Sequence, residues 1–282
     1  MDFYNMSHDE ILRILPERKS DCHKGDCGKV LLLCGSKGYT GAAALSAMGA
    51  LRCGAGLVYL AVPECIYFIE AAKLVEPVVI PLSGHDNTFS VDAAGEVEHL
   101  LDGKDAVLIG PGIGCTDGTL HMLETVLQKF SGPVVVDADG INLLQHHRDL
   151  LRGRKEPTVL TPHMGEFRRI GGNLELAKCD AAVALAQDLG ATILLKGHKT
   201  VITDGTCCYI NDTGNPGMAV GGSGDLLAGI ITALLGFGIS PLHAAACGAW
   251  LHGAAGDICA AEIGQYGMLP SDMLEVLPRL LK

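Results

Sequence analysis

The sequence predicts an α/β protein whose central sheet is mainly parallel, covered by helices on both faces, with a small hairpin at one edge. Three observations carry that expectation. Short runs rich in Val, Leu and Ile recur without polar alternation, as in "KVLLLCG", "DAVLIGPGIG" and "GPVVVDADG", which is how strands buried on both faces read. Helical patterns separate these runs, so strand and helix take turns along the chain. The runs also end on Gly, Asp, His or Lys, a polar punctuation expected at the carboxyl ends of parallel strands, where ligands gather.

Taken in order, a short amphipathic N-terminal stretch precedes the apolar run 29–35, which Gly35 ends. "TGAAALSAMGALRCGAG", 40–56, follows as an Ala-rich helix. "LVYLAVP" and "PVVIPL" are the next two strands, then "DAVLIGPGIG" leads into the helical "GTLHMLETVLQKF". "GPVVVDADG", "PTVLTPH" and "ATILLKG" repeat the strand pattern, with the helical stretch "NLELAKCDAAVALAQDLG" before the last of them. "KTVITDGTCCYIN" differs, because an Asp-Gly turn joins two short β-like runs and marks a hairpin at the sheet edge. From residue 222 onward the pattern is helical. There is no Pro/Ser linker, low-complexity tract or internal repeat, so residues 1–282 read as a single domain.

Composition narrows the function. At 48% hydrophobic residues and mean hydropathy +0.30, the chain is globular, and with aromatics at 5% its core must come from aliphatic side chains. Its 37 glycines in 282 residues exceed the usual share of about 7%, which points to tight turns and close backbone approach. A net charge of −11 with no basic stripe argues against nucleic acid as a partner. The eleven cysteines form no metal framework, since Cys22 and Cys27 lack a second pair at finger-like spacing and Cys34, Cys53 and Cys247 sit in apolar runs. The polar N-terminus lacks a signal-peptide core, so a reducing, cytoplasmic setting is expected. Between Asp225 and Asp257 there is no Asp, Glu, Lys or Arg. Gly236, Gly238 and Pro241 interrupt that stretch before it reaches the roughly 20 apolar residues of a membrane span, so two successive buried helices are expected.

Several loops at strand ends carry chemistry. "GSKGYTGAA" places glycines before a helix N-terminus, where backbone N–H groups can meet an anion. It lacks both the dinucleotide-binding and the P-loop spacing, and an ordinary strand-to-helix turn reads equally well. "GPGIG", 110–114, offers a flat glycine surface suited to a planar ring, with the same ambiguity. In "TPHMGE", His163 and Glu166 fall on the first turn of a helix at a strand end, Glu166 serving either as a functional carboxylate or as a capping one. In "KGHKT", Lys196 directly follows a strand and is either a phosphate partner or a surface lysine. "GGSGD" is the sharpest signal. Gly221, Gly222 and Gly224 allow close approach to a helix N-terminus, where orphan N–H groups stabilise charge on a transferring phosphoryl group. Asp225 stands beside that anion, placed to accept a proton from an attacking hydroxyl.

Together and in this order, "HKGDCGKV", "VLIGPGIG", "VVDADGINLL", "LTPHMGEF", "LLKGHKTVIT" and "NPGMAVGGSGDLLAG" resemble the ribokinase-like superfamily, and within it the ADP/ATP-dependent NAD(P)H-hydrate dehydratases. The resemblance covers nearly the whole chain. It implies repair of NADH or NADPH whose nicotinamide ring has taken up water: ADP or ATP phosphorylates the resulting hydroxyl of the S epimer, and phosphate then leaves. It further implies that Asp225 is the catalytic base and that Lys196, Gly197, His198, Lys199, Thr200 and Gly224 contact the adenine nucleotide, beside Gly221 and Gly222. Ala42, Gly114, His163 and Asp225 would hold the hydrated dinucleotide, and Glu166 would hold Mg²⁺ through water. The chain departs from the pattern at His163, where sugar kinases usually carry Asn, at Met164 for Pro, and at Val220 and Ser223 for Thr. A homotetramer working with a separate epimerase, and with no membrane association, is implied as well. Two other functions fit the loops: a ribokinase-like kinase acting on hydroxyethylthiazole, hydroxymethylpyrimidine or a sugar, and a nucleotide-binding regulatory module. The retained Asp225 argues against the last.

Overall fold

The structure is a computed structural model that describes residues 3–282, so residues 1 and 2 of the expected unit lie outside the described residues. In chain order the elements are β1 (Phe3–Tyr4), α1 (His8–Ile14), β2 (Lys29–Leu33), α2 (Thr40–Arg52), β3 (Leu57–Pro63), α3 (Glu64–Lys73) and β4 (Val78–Leu82). Then come β5 (Gly84–His85), β6 (Thr88–Phe89), α4 (Ala93–Leu100), β7 (Ala106–Ile109), α5 (Asp117–Lys129), β8 (Val134–Val136), α6 (Asp139–Leu143), α7 (Asp149–Arg152) and β9 (Thr158–Leu160). The chain ends with α8 (Met164–Arg169), α9 (Lys178–Leu189), β10 (Thr192–Leu195), β11 (Thr200–Thr203), β12 (Cys208–Asn211), α10 (Ser223–Gly236), α11 (Pro241–Glu262) and α12 (Pro270–Val276).

Ten strands form one sheet in the order β1-β12-β11-β10-β9-β8-β7-β2-β3-β4. Every neighbouring pair from β10 through β9, β8, β7, β2 and β3 to β4 is parallel. The apolar runs explain the layering. Along β2, Val30 and Leu32 face one core with α2, α10 and α11, while Leu31 and Leu33 face the other with α4, α5 and α9. Both faces are dry, which is why these strands show no polar alternation.

The expected hairpin is β11–β12, antiparallel around Asp204 and Gly205, with Gly205 at φ +90°. It lies one strand in from the edge, because the two-residue β1 pairs in parallel with β12 through Phe3↔Cys208 and Tyr4↔Tyr209. That pairing covers a row of backbone groups that an edge strand leaves open. A second small hairpin, β5–β6, closes around Asp86 at φ +55°. The expected helix from Asn173 starts only at Lys178, because the Asn173 carboxamide oxygen accepts the Glu175 N–H at 2.9 Å and forms a local turn instead.

The long uncharged segment resolves into α10 and α11, broken at Gly238 (φ +79°) and restarted with Pro241 in the first turn. Among the described residues no helix is long and apolar enough to cross a membrane. Helix α10 packs closely on α2. A Cβ at Gly229 would sit 2.1 Å from the Ser46 carbonyl oxygen, and one at Gly49 would sit 2.7 Å from that of Leu226. Only hydrogen at both positions lets the backbones meet this closely, and the contact fixes the α10 N-terminus over the sheet.

Candidate active site

The strand ends build one continuous rim. β10, β9, β8, β7 and β2 are neighbours and parallel, so the residues after each emerge side by side at the same edge. Backbone bonds extend the ladder past the strands: Lys196 N–H donates to Pro162 at 2.8 Å, Asp137 N–H to Ile109 at 3.1 Å, and Gly35 N–H to Pro111 at 2.8 Å. Lys196, His163, Asp137, "GPGIG" and the 35–42 loop therefore stand on a rigid frame.

Helix α10 enters this rim at its N-terminus. Gly222, at φ +93°, turns the chain into the helix. Gly221 lies open to solvent. A Cβ at Gly224 would sit 3.4 Å from Lys196 Nζ and 3.9 Å from an Asp137 carboxylate oxygen, which places the first turn directly against those groups. Ser223 and buried His252 of α11 share a hydrogen bond of 3.3 Å. Burial pushes His252 down to about 4, so a neutral imidazole holds this end of the helix at neutral pH. Asp225 is half-buried in the same turn, and the Ser46 hydroxyl donates to its carbonyl oxygen at 3.1 Å. Burial first, and the Asp137 charge second, push the Asp225 carboxyl up to about 6. It is thus ionised at neutral pH yet more basic than an ordinary aspartate.

Around Asp225 the charges are unevenly matched. Asp137 is 1% exposed and bonds Lys196 Nζ at 2.8 Å and the Thr161 hydroxyl at 2.7 Å. Glu166 stands 4.0 Å from the same ammonium. Burial works against the Lys196 charge, but the Asp137 and Glu166 carboxylates more than offset it and raise its pKa. Burial likewise raises Glu166, against the opposing pull of Lys196. One ammonium thus serves Asp137, Glu166 and Asp225.

His163 is the N-cap of α8. Its Nδ1 accepts from Gly165 and Glu166 N–H at 2.9 and 3.2 Å, while Glu166 returns a bond from the His163 N–H at 2.8 Å. This is a reciprocal capping box with an imidazole in place of the usual hydroxyl. Both alternatives for Glu166 are therefore realised at once: it caps the helix and faces the rim. The other ring nitrogen of His163, Nε2, lies 3.4 Å from a Glu166 carboxylate oxygen, and the side chain is 54% exposed.

Further along the rim, Ala42 meets the "GPGIG" loop, since a Cβ at Gly112 would lie 3.1 Å from the Ala42 Cβ. The Gly114 N–H donates to an Asp139 carboxylate oxygen at 2.9 Å, which sets that loop's height. On the opposite side, 197–200 forms an exposed turn with Gly197 at φ +134° and Lys199 at φ +52°. Lys178 clamps the carbonyls of His198 and Lys199 at 3.0 and 2.9 Å, and the Thr200 hydroxyl donates to Gly197 at 2.9 Å. The sequence shows "VVDADGINLL" as one motif of the family resemblance, with no part given to Asp137, Asp139 or the distant His252. For Asp137 the signal was present: it is the first polar residue after a β-branched run, as Lys196 is. For His252, buried in an Ala-rich helix, there was none.

A parallel sheet with a glycine-flanked helix N-terminus and an aspartate at its rim defines the ribokinase-like class, to whose solved members the chain is similar. Within that class, the chain belongs to the NAD(P)H-hydrate dehydratase family, whose model matches residues 30–279. It is 35% identical to the ADP-dependent (S)-NAD(P)H-hydrate dehydratase of Cenarchaeum symbiosum, over 98% of this chain and 96% of that protein. It is 43% identical to the bifunctional NAD(P)H-hydrate repair enzyme Nnr of Moorella thermoacetica, over 95% of this chain and 52% of that one. The chain thus spans about half the length of the first curated relatives it matches. Its fold is similar, with a TM-score of 0.84 and 30% identity, to the Bacillus subtilis ADP/ATP-dependent NAD(P)H-hydrate dehydratase co-crystallized with ATP/Mg²⁺, covering 97% of this chain and 96% of that one.

Proposed function

We propose that this protein dehydrates the hydrated nicotinamide ring of NADHX and NADPHX, S epimer, with ADP or ATP as co-substrate, releasing phosphate with AMP or ADP. One observation carries the reading: Asp225, pushed up to about 6, stands in the first turn of α10 among glycines, with the Lys196 ammonium beside the same turn. In this reading Asp225 accepts the proton of the ring hydroxyl as that oxygen bonds to the terminal phosphorus and the bridging P–O bond breaks, AMP or ADP leaving with the bridging oxygen. The N–H groups of Gly224 and its neighbours and the Lys196 ammonium take up charge on the transferring phosphoryl oxygens. The new phosphate ester then breaks at its C–O bond, pushed by the ring nitrogen's electron pair, and the adjacent ring carbon gives up a proton to water so that the ring double bond is restored. Dihydronicotinamide and inorganic phosphate result. Phosphorylation matters because hydroxide leaves poorly and phosphate leaves well.

Residues 196–200 and Gly221, Gly222 and Gly224 are the proposed nucleotide contacts. Ala42, Gly114, His163 and Asp225 are proposed to hold the hydrated dinucleotide along the "GPGIG" shelf, which Asp139 supports. Among the described residues no group of His, Cys, Asp and Glu forms a dedicated metal cage. Hard carboxylate oxygens in excess over cations suit Mg²⁺ that arrives with nucleotide phosphates and keeps several waters. Glu166 is proposed to hold that ion through water; when bound, it would neutralise charge on the phosphates. We further propose a single ribokinase-like unit over 1–282, a cytoplasmic setting consistent with eleven free cysteines, a homotetramer, and cooperation with a separate epimerase.

Phosphate release tests the reading against a vitamin-precursor kinase. Protein, Mg²⁺ and ADP or ATP are mixed with hydrated NADH, hydroxyethylthiazole, hydroxymethylpyrimidine or a sugar. Free phosphate with hydrated NADH alone is expected. A stable phosphate ester formed from one of the alcohols, with no phosphate from hydrated NADH, would transfer the assignment to a kinase.

A further inference from the structure

The ion pair between Asp137 and Lys196 is more than a partner for a buried charge. Lys196 opens the 196–200 segment, yet its side chain leaves that turn. The turn itself is held by other means, with Lys178 on the His198 and Lys199 carbonyls and the Thr200 hydroxyl on Gly197. The Lys196 ammonium instead points into the rim, 2.8 Å from Asp137 and 4.0 Å from Glu166, against the first turn of α10 at Gly224. Its side chain is 21% exposed and ends beside an almost fully buried carboxylate.

Asp137 is itself over-determined. Its Oδ1 accepts the Thr161 hydroxyl at 2.7 Å, its N–H is in the ladder to Ile109, and its carbonyl accepts the Gly140 N–H at 3.0 Å. The next residue, Ala138, holds φ +48°, a rare value for a residue with a side chain. Such strain persists where surrounding contacts impose it. A lysine is a flexible point charge on a four-carbon stem. Anchoring it before a phosphoryl group arrives removes reorganisation from the reaction step.

We propose that Asp137 is a positioning residue for phosphoryl transfer: it fixes the Lys196 ammonium under the α10 N-terminus, where its contact with the nucleotide is to the terminal phosphoryl group as it transfers. The nucleotide is held by the separately braced turn 197–200. This inference rests on the reading that the site transfers a phosphoryl group. It divides one sequence motif between two tasks, with Lys196 acting on kcat and residues 197–200 on nucleotide affinity.

The test is a double-mutant cycle of Asp137→Asn and Lys196→Met, with kcat and KM measured on hydrated NADH, nucleotide Kd measured by calorimetry, and thermal unfolding recorded for each variant. Lys196→Met is expected to lower kcat by about 10²-fold or more, the size seen when one transition-state donor is removed. Asp137→Asn should lower kcat by about 10-fold or more while nucleotide Kd changes less than about 3-fold, and the double variant should be no slower than Lys196→Met alone. Additive losses, an unchanged kcat in Asp137→Asn, or a weakened Kd with kcat retained would overturn the role of Asp137. Should Asp137→Asn fail to fold, Thr161→Val, which removes the other bond to Asp137 Oδ1, replaces it in the same cycle with the same expected non-additivity. Wild-type protein that turns over no acceptor would overturn the phosphoryl-transfer reading itself, an outcome distinct from active wild type with additive variants.

Discussion

At the residue scale, Asp225 concentrates the chemistry and a cost in stability. Replacing it with Asn should lower turnover by at least about 10²-fold while nucleotide affinity holds, following the usual size of general-base effects. A base must be unprotonated to act, so kcat/KM, measured with the nucleotide co-substrate present, should rise through pH about 6 and level off above it. The stability effect runs the other way. The folded pKa of about 6 exceeds the unfolded value of about 3.9, so folding favours the protonated form. Below about pH 4 the carboxyl is neutral in both states and carries no penalty. Between about pH 4 and pH 6 the unfolded chain ionises while the folded carboxyl keeps its proton, so stability falls, and above 6 the penalty is complete at about 3 kcal/mol. Asp225→Asn should therefore unfold at a higher temperature than wild type at pH 8, with the gap closing towards pH 4. A lower melting temperature at pH 8 would show that the carboxylate has partners that stabilise it.

At the scale of elements, the site depends on how helices meet the sheet. Helix α2 carries Ala42 in its first turn, α10 carries Asp225, and the two cross at Gly229 and Gly49. Gly229→Ala would press a methyl to 2.1 Å from the Ser46 carbonyl. The expected cost is about 1–3 kcal/mol, read as a lower midpoint in urea, with turnover falling because Asp225 shifts relative to Gly114. Unaltered stability would mean that the helices can separate without loss. Elements were also where the sequence was most readable. Every apolar run at the rim is a strand, since burial on both faces leaves an unmistakable composition. The hairpin at 204–205 was legible from its Asp-Gly turn. β1 was not, because a two-residue strand has no periodicity and forms only where β12 offers a free edge. The start of α9 was misplaced because Asn173 turns its carboxamide onto the backbone, a choice that helical spacing does not reveal.

At the scale of the whole molecule, the fold brings loops from 35 to 225 to one edge, and only this convergence gives weak motifs meaning. The sequence identified the loops, and strand order accounts for their meeting. It could not reveal the Asp137–Lys196 pair, which joins the residues that follow β8 and β10, with β9 between those strands. A ligand that binds only the folded rim should stabilise the entire chain: ATP with Mg²⁺ at about 100 times its Kd should add about 2.7 kcal/mol and raise the melting temperature accordingly. No shift at that concentration would remove the nucleotide from the site. The central claim concerns the second substrate, and optical absorbance reaches it directly. Protein, Mg²⁺ and ADP or ATP are mixed with (S)-hydrated NADH, and the reduced-nicotinamide band is followed in wild type and Asp225→Asn. Return of the band in wild type, with one phosphate released per ring restored and a rate at least about 10²-fold lower in the variant, is the predicted result. Nucleotide consumption without return of the band would contradict it.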